Sequence, residues 1–321
     1  MYSISNEEKM FIEEKLVYDK LFNDVFNTSK FAWGEVADKK HIRKWLNNFK
    51  GYALGNKEIE QRIALWLLYH STYYTKQDLK ALCKDVFMKY INKSIAKQSE
   101  ISLSNRVSGI IDSTYYTMLG NPSESGAYIL YLFRTENQID NRCFEMSRKN
   151  NCRNLVFVDD AIFTGNQVSE YLYNYFGEEG SGRLNVTIAT LFLNKHAIDQ
   201  IKENNPNINL DFISSIELSE RDQVFSEESY VFSQDNYSEI KEITKAMCDY
   251  YGEIVCKEMD LPSSYYPDGY EHGQYLISYE HNTPDNSLPI LWYKSDSWSP
   301  MFERRHKIEG KTYEIDPRKF Y

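Results

Sequence analysis

One stretch constrains this chain more than any other: Asn154-Leu-Val-Phe-Val-Asp-Asp-Ala-Ile-Phe-Thr-Gly-Asn-Gln-Val168 passes abruptly from an apolar run to paired acids and then to a small, flexible loop. Residues 155–158 form a short β-branched and aromatic run without alternation. That pattern predicts a strand covered on both faces in a parallel sheet. Asp159 and Asp160 are then expected at its carboxyl end, where open α/β sheets bind their ligands. Residues 161–167 read as a tight loop in which Gly165 permits close backbone approach, and Val168, Tyr171, Leu172, Tyr175 and Phe176 have the spacing of a helix. The unit is strand, loop, helix. Its loop presents amide N–H groups at a helix N-terminus, a setting that favours an anion. Two carboxylates beside it cannot favour the same anion, so they are expected to address sugar hydroxyls and Mg²⁺. The bland alternative is a solvated acidic turn leading into a helix cap.

The rest of the chain supplies a sheet around this unit. Thr114-Tyr-Tyr-Thr-Met-Leu119 predicts an earlier strand, the segment Gly120-Asn-Pro-Ser-Glu-Ser-Gly126 a loop, and Ile129, Leu130 and Phe133 a helix. Strands are expected over 185–193 and 212–218 with a helix over 197–203 between them, and a further helix over 237–257. Such alternation predicts an α/β fold with a doubly wound, mostly parallel sheet. Residues 1–110, without proline and with apolar residues returning at three and four, predict an almost entirely helical N-terminal region. Residues 111–321 are then the α/β domain, and residues 262–321 its C-terminal hood.

Two surfaces invite partners. Lys76, Lys80, Lys84, Lys89, Lys93 and Lys97 recur along one predicted helix, interrupted by Asp78 and Asp85. They read either as a solvated face opposite a core stripe of Leu79, Leu82, Val86, Phe87 and Ile91, or as a contact for nucleic acid or a companion protein. The hood runs through His281-Asn-Thr-Pro-Asp-Asn-Ser-Leu-Pro-Ile-Leu-Trp292 to Trp298, Arg304 and Arg305. It reads either as a proline-fixed flap on the sheet edge or as a cover in which an aromatic stacks on a base and arginines meet phosphate.

Composition excludes other classes. A net charge of −10 with 15 % aromatic residues argues for a packed acidic globule over a nucleic-acid coat or a disordered chain. Five cysteines without a Cys-x-x-Cys pair disfavour a disulfide framework and a zinc ribbon, so a reducing cytoplasm is expected. No run approaches the roughly 20 apolar residues of a membrane span, and the N-terminus lacks a targeting pattern. His41, His70, His196, His272, His281 and His306 form no zinc-hydrolase spacing, and neither a P-loop nor a Gly-x-Ser-x-Gly elbow occurs.

The order acid-acid-x-x-x-Thr-Gly after an apolar strand resembles the phosphoribosyl pyrophosphate (PRPP) motif of type I phosphoribosyltransferases. That resemblance implies that Asp159 and Asp160 hold the 2′- and 3′-hydroxyls of the ribose, serve catalysis and face Mg²⁺. It also implies that the amides of Ala161, Ile162, Phe163, Thr164, Gly165, Asn166 and Gln167, with the Thr164 hydroxyl, hold the 5′-phosphate. In these enzymes the loop after the first sheet strand holds pyrophosphate, which nominates Ser123, Ser125 and Gly126, with Arg134 as a source of positive charge. Glu124 in that loop opposes such a ligand unless Mg²⁺ intervenes. Phe163 stands where purine enzymes often carry an acid that can act as a base. Together with Arg62-Ile-Ala-Leu-Trp-Leu-Leu-Tyr-His70 and Asn-Thr-Pro-x-Asn-x-Leu-Pro-x-x-Trp over 282–292, the Asp-Asp-x-x-x-Thr-Gly-Asn-Gln loop resembles the phosphoribosyltransferase-like proteins of bacterial conflict and anti-phage loci. The expected function is transfer of phosphoribose from PRPP to a base, nucleotide, RNA or protein. The alternatives are a PRPP or nucleotide sensor within a defence complex and an interaction module of such a complex, with oligomer formation open.

Overall fold

A computed structural model describes residues 2–96, 103–120, 125–148, 152–233, 237–259 and 265–304. The chain opens with α1 (Asn6–Lys15), α2 (Tyr18–Phe31), α3 (Lys39–Leu46) and α4 (Lys57–Tyr69). Their starts follow local chemistry. Ser5 and Glu8 close a reciprocal capping box on α1, Asp38 caps α3, and the Asn56 side chain accepts from two first-turn amides of α4. A three-residue strand, β1 (Thr72–Tyr74), interrupts the helical run that the sequence predicts, before α5 (Lys76–Ala96) and α6 (Leu103–Asp112).

The central sheet consists of β2 (Thr114–Met118), β3 (Asn154–Ile162), β4 (Asn185–Asn194) and β5 (Leu210–Leu218), parallel and adjacent in that order. Helices α7 (Ser125–Glu136), α8 (Asn166–Phe176) and α9 (Lys195–Asn204) connect the strands. Both faces of the sheet are covered, which explains why β3 reads as a continuous apolar run. On one face α5 and α7 pack on Tyr116, Val156, Val158 and Ala189; on the other, α8 and α9 pack on Leu155, Phe157, Val186 and Ile188.

This alternation breaks at one level of the sheet. In β3, Val158 faces the α5/α7 side, yet Ala161 packs on that side too and Ile162 turns to the α8/α9 side. In β4, Leu191 and Phe192 both join the α5/α7 cluster. In β5, Ile213 and Ile216 do the same. Strict period-two alternation cannot place an odd and an even residue on one face, so the strands change phase together while their register holds on either side, Asp159 opposite Thr190 and Ala161 opposite Phe192. The change in β3 falls at Asp159 and Asp160, which therefore lie within a strand that runs on to Ile162 and not beyond its end.

The remaining elements are α10 (Lys241–Glu258), the short strands β6 (Tyr265–Tyr266), β7 (Gly269–Tyr270) and β8 (Ile277–Tyr279), and α11 (Pro289–Trp292). Strand β8 pairs parallel with β1, Thr72 opposite Ile277 and Tyr74 opposite Tyr279, so the hood is stitched to the N-terminal helices. One apolar cluster joins α1–α4 with α10, Leu288, Ile290, Trp292, Trp298 and Phe302. Helices α5 and α6 instead share the core of the sheet. No helix among the described residues is long and apolar enough to cross a membrane.

Candidate functional site

The structure brings the acid pair and the loop together in one cleft of 1110 Å³. Its floor is Asp159, Asp160 and the run 161–168; α8 adds Glu170, Tyr171 and Asn174, and α7 adds Ser125 and Tyr128. The hood supplies the facing wall with Tyr270, Glu280, His281, Asn282, Pro284, Asp285, Asn286 and Arg304. Two of these segments were legible as site residues in the sequence. The hood is readable as a cover, but the meeting of its His281 with Asp160 was not legible, since nothing local in the sequence links residues 280–282 to β3.

Gly165 is the N-cap of α8 at φ +84°, with no side-chain cap. A Cβ there would lie 3.0 Å from Ile201 and 3.1 Å from the Ala197 carbonyl, so close approach to α9 also demands glycine. Because the cap carries no side chain, the first-turn amides of α8 have no side-chain acceptor, and residues 165–168 line the cleft, where the helix dipole favours an anion. Asn166 is held from two sides: its Nδ2 donates to Glu271 Oε1 and Oε2 at 2.9 and 3.0 Å, and its Oδ1 accepts from Gln200. Phe163, the residue at the expected acid position, packs against Tyr275 with ring centroids 4.8 Å apart.

The acid pair is tightly built. The Asp160 amide donates to Asp159 Oδ1 at 3.0 Å. A Cβ on Gly126 would meet Asp159 Oδ1 and the Leu119 carbonyl oxygen, each at 2.9 Å, so this glycine lets the start of α7 lie against the carboxylate. His281 Nε2 stands 3.5 Å from Asp160 Oδ2, with both side chains largely buried. Burial pushes the Asp160 carboxyl up, but the contact with His281 and its charge, with a hydrogen bond from Ser125, outweigh it and hold the carboxyl below the usual range.

Other nominated residues lie elsewhere. Arg134 sits at the far end of α7 from Ser125, where it donates to Asn141 and lies over the Tyr131 ring; the structure does not bring it to the cleft. Along α7 the nine-residue step from Ser125 to Arg134 spans roughly 14 Å. Ser123 and Glu124 lie outside the described residues, as do Lys97 and Arg305. The hood tryptophans do not stack on a ligand: Trp292 and Trp298 are buried, both N–H groups donating to backbone carbonyls. Arg304 donates to the Thr283 carbonyl and to Asp285 at 3.0 Å, while its guanidinium covers Trp292.

The lysine face is drawn into the fold. Lys80 and Lys84 meet Glu136 at 2.8 and 3.3 Å, Lys89 meets Asp85 at 2.7 Å and donates to two β5 carbonyls, and Lys93 pairs with Asp211. These partly exposed pairs each add little stability but tie α5 to α7 and β5. The opposite face buries Leu79, Val86, Phe87 and Ile91, as the spacing predicts.

Mg²⁺ suits what the cleft offers. No group of three metal-ligating side chains occurs among the described residues. Mg²⁺ commonly takes only one or two carboxylates and completes its shell with ligand oxygens and water, and Asp159 and Asp160 can supply that much.

A parallel sheet flanked by helices, with paired acids running into a glycine-capped amide loop, defines a phosphoribosyltransferase-like protein of type I. The family model described as PRTase-CE matches residues 42–304, and the chain belongs to that family. No curated protein and no solved structure matches it.

Proposed function

We propose that the cleft binds PRPP with Mg²⁺ and that the chain transfers its phosphoribosyl group to an acceptor. The observation that carries this reading is the juxtaposition, in one cleft, of a carboxylate pair with the N-terminal amides of α8. The amides of 163–167 and the Thr164 hydroxyl hold the 5-phosphate, since Ala161 and Ile162 are paired into the sheet opposite Phe192 and Leu193. Asp159 and Asp160 accept hydrogen bonds from the ribose hydroxyls and hold Mg²⁺. In the transfer, the acceptor's lone pair forms the new bond to C1, the C1–O bond breaks, and pyrophosphate leaves with the bonding electrons while the acceptor loses a proton. Bound Mg²⁺ supplies charge neutralisation to the departing pyrophosphate. The protein's own contribution is to fix the ribose and exclude alternative geometries, which suffices for an acceptor that is already nucleophilic and makes an acid at Phe163 dispensable.

One observation favours a second reading, a sensor of ribose monophosphates. Among the described residues lining the cleft, Asp159, Asp160, Glu170, Glu280 and Asp285 face a single guanidinium, Arg304, which is already engaged by Asp285. A diphosphate binds such a surface poorly without a cation. The resemblance to proteins of conflict loci supports a role in anti-phage defence in the cytoplasm, with nucleic acid or a companion protein as partner. The purified chain, given PRPP and Mg²⁺, is expected to release pyrophosphate when base, nucleotide, RNA and protein mixtures are screened as acceptors. Binding of ribose 5-phosphate without pyrophosphate release under any acceptor would replace the transferase with the sensor.

A further inference from the structure

His281 is the group that the reading above leaves unexplained. It belongs to the hood, lines the cleft, and is buried to a side-chain exposure of 9 %. Its ring lies parallel to Tyr279, 5.5 Å away at 9°, and 4.9 Å from the ring of Tyr128. Neither ring nitrogen has a hydrogen-bond partner. Buried polar atoms in folded proteins are nearly always satisfied, and an orphan on a cleft wall marks a partner that arrives from outside. The distance to Asp160 says which kind. At 3.5 Å, Nε2 and Oδ2 are too far apart for a good hydrogen bond yet near enough for one small group to touch both.

The chemistry of that group follows from what the two sides offer. A carboxylate only accepts; an imidazole N–H donates. A group serving both must donate to one and accept from the other, and a hydroxyl does so where an amine cation or a carboxylate cannot. We infer that His281 completes the sugar subsite, its Nε2 donating to a ribose ring hydroxyl that in turn donates to Asp160. The inference rests on the phosphoribosyl reading of the cleft and adds a specificity residue to it. The hood thereby takes part in sugar selection as well as enclosure. A subsite built to hydrogen-bond a hydroxyl rejects a ligand lacking it, because its buried polar atoms are then left unpaired.

The test compares ribose 5-phosphate with 2-deoxyribose 5-phosphate and 3-deoxyribose 5-phosphate by calorimetry. The wild type is expected to bind one of the deoxy sugars at least about tenfold more weakly than ribose 5-phosphate. His281→Phe keeps the ring between the tyrosines but removes the donor, and is expected to bring that ratio below about threefold while inorganic phosphate binds as in wild type. His281→Gln, which restores a donor, is expected to recover part of the ratio. A measurement that needs no variant is the ¹⁵N shift of His281, expected to move with ribose 5-phosphate and not with inorganic phosphate. A His281→Phe protein that keeps the wild-type ratio, a wild type without discrimination, or an unmoved ¹⁵N shift with ribose 5-phosphate bound overturns the role of His281 and leaves the phosphoribosyl reading standing. A wild type that does not bind ribose 5-phosphate at all overturns both.

Discussion

At the scale of single residues, glycine decides the geometry twice. Gly126 lets α7 begin against the Asp159 carboxylate, and Gly165 turns the chain from β3 into α8 while touching α9. The sequence predicts that a side chain at Gly165 obstructs either the phosphate or the turn; the neighbours found there, Ile201 and Ala197, point to the turn and to packing. Gly165→Ala is therefore expected to lower stability by about 1–3 kcal/mol, from left-handed strain and overpacking, as read from urea denaturation. Folded Gly165→Ala protein is expected to bind ribose 5-phosphate within about threefold of wild type, since its added Cβ meets α9 and not the ligand. A stable variant with abolished binding would instead show that the added carbon fills the phosphate cradle. The residues of this loop were legible because each carries its chemistry locally. His281 was not, because its meaning comes from Asp160, which only the tertiary fold brings near.

Secondary-structure elements show a similar division. Strands β2, β4 and β5 and helices α7, α8 and α9 were readable from apolar period and boundary residues, and the predicted bounds differ from those found mainly at the ends. The phase change at Asp159 and Asp160 was hidden because it is a property of three strands shifting together. Strand β1 was hidden because a three-residue strand between helices has no period, and its partner β8 lies in the hood. The hood's turn is held by bonds within the turn itself: Glu271, His272 and Gln274 adopt positive φ, and the buried Asp268 carboxylate accepts from His272 Nδ1 at 2.9 Å and from Gln274 Nε2 at 3.0 Å. Such strain persists only where surrounding bonds over-determine it. At the C-cap of α4, His70 is packed edge-on against Trp66 and Tyr69, and burial pushes its pKa down to about 4. The unfolded chain, with an ordinary histidine value near 6.5, binds this proton first. Stability from neutral His70 is therefore fully present above about pH 6.5 and falls as pH drops toward 4, by at most about 3 kcal/mol. His70→Phe is expected to flatten that part of the stability profile between pH 7 and pH 4.5; an unchanged slope in the variant would assign it to other groups.

The whole molecule is organised as two layers that do not follow the order of the chain. Helices α1–α4 share a core with α10 and the buried hood tryptophans, whereas α5 crosses to the sheet and carries its lysines into bridges with α7 and β5. A buried carboxylate anchors the first layer: Glu60 accepts from the amides of Gly51, Ala53 and Leu54 and from the Tyr251 hydroxyl of α10. The consequence is a hood fixed at both ends of the fold, by β1 on one side and α10 on the other, so that its wall of the cleft is set by the helical layer. The central claim is that this assembled cleft holds a phosphorylated ribose through Asp159 and Asp160. Calorimetry with PRPP and Mg²⁺, on wild type and on the Asp159→Asn/Asp160→Asn double variant, tests it most directly. The account predicts saturable binding by the wild type and a loss of at least about 100-fold in the double variant, some 2.7 kcal/mol, with thermal unfolding showing that the variant remains folded. Equal affinity in the two folded proteins would contradict it.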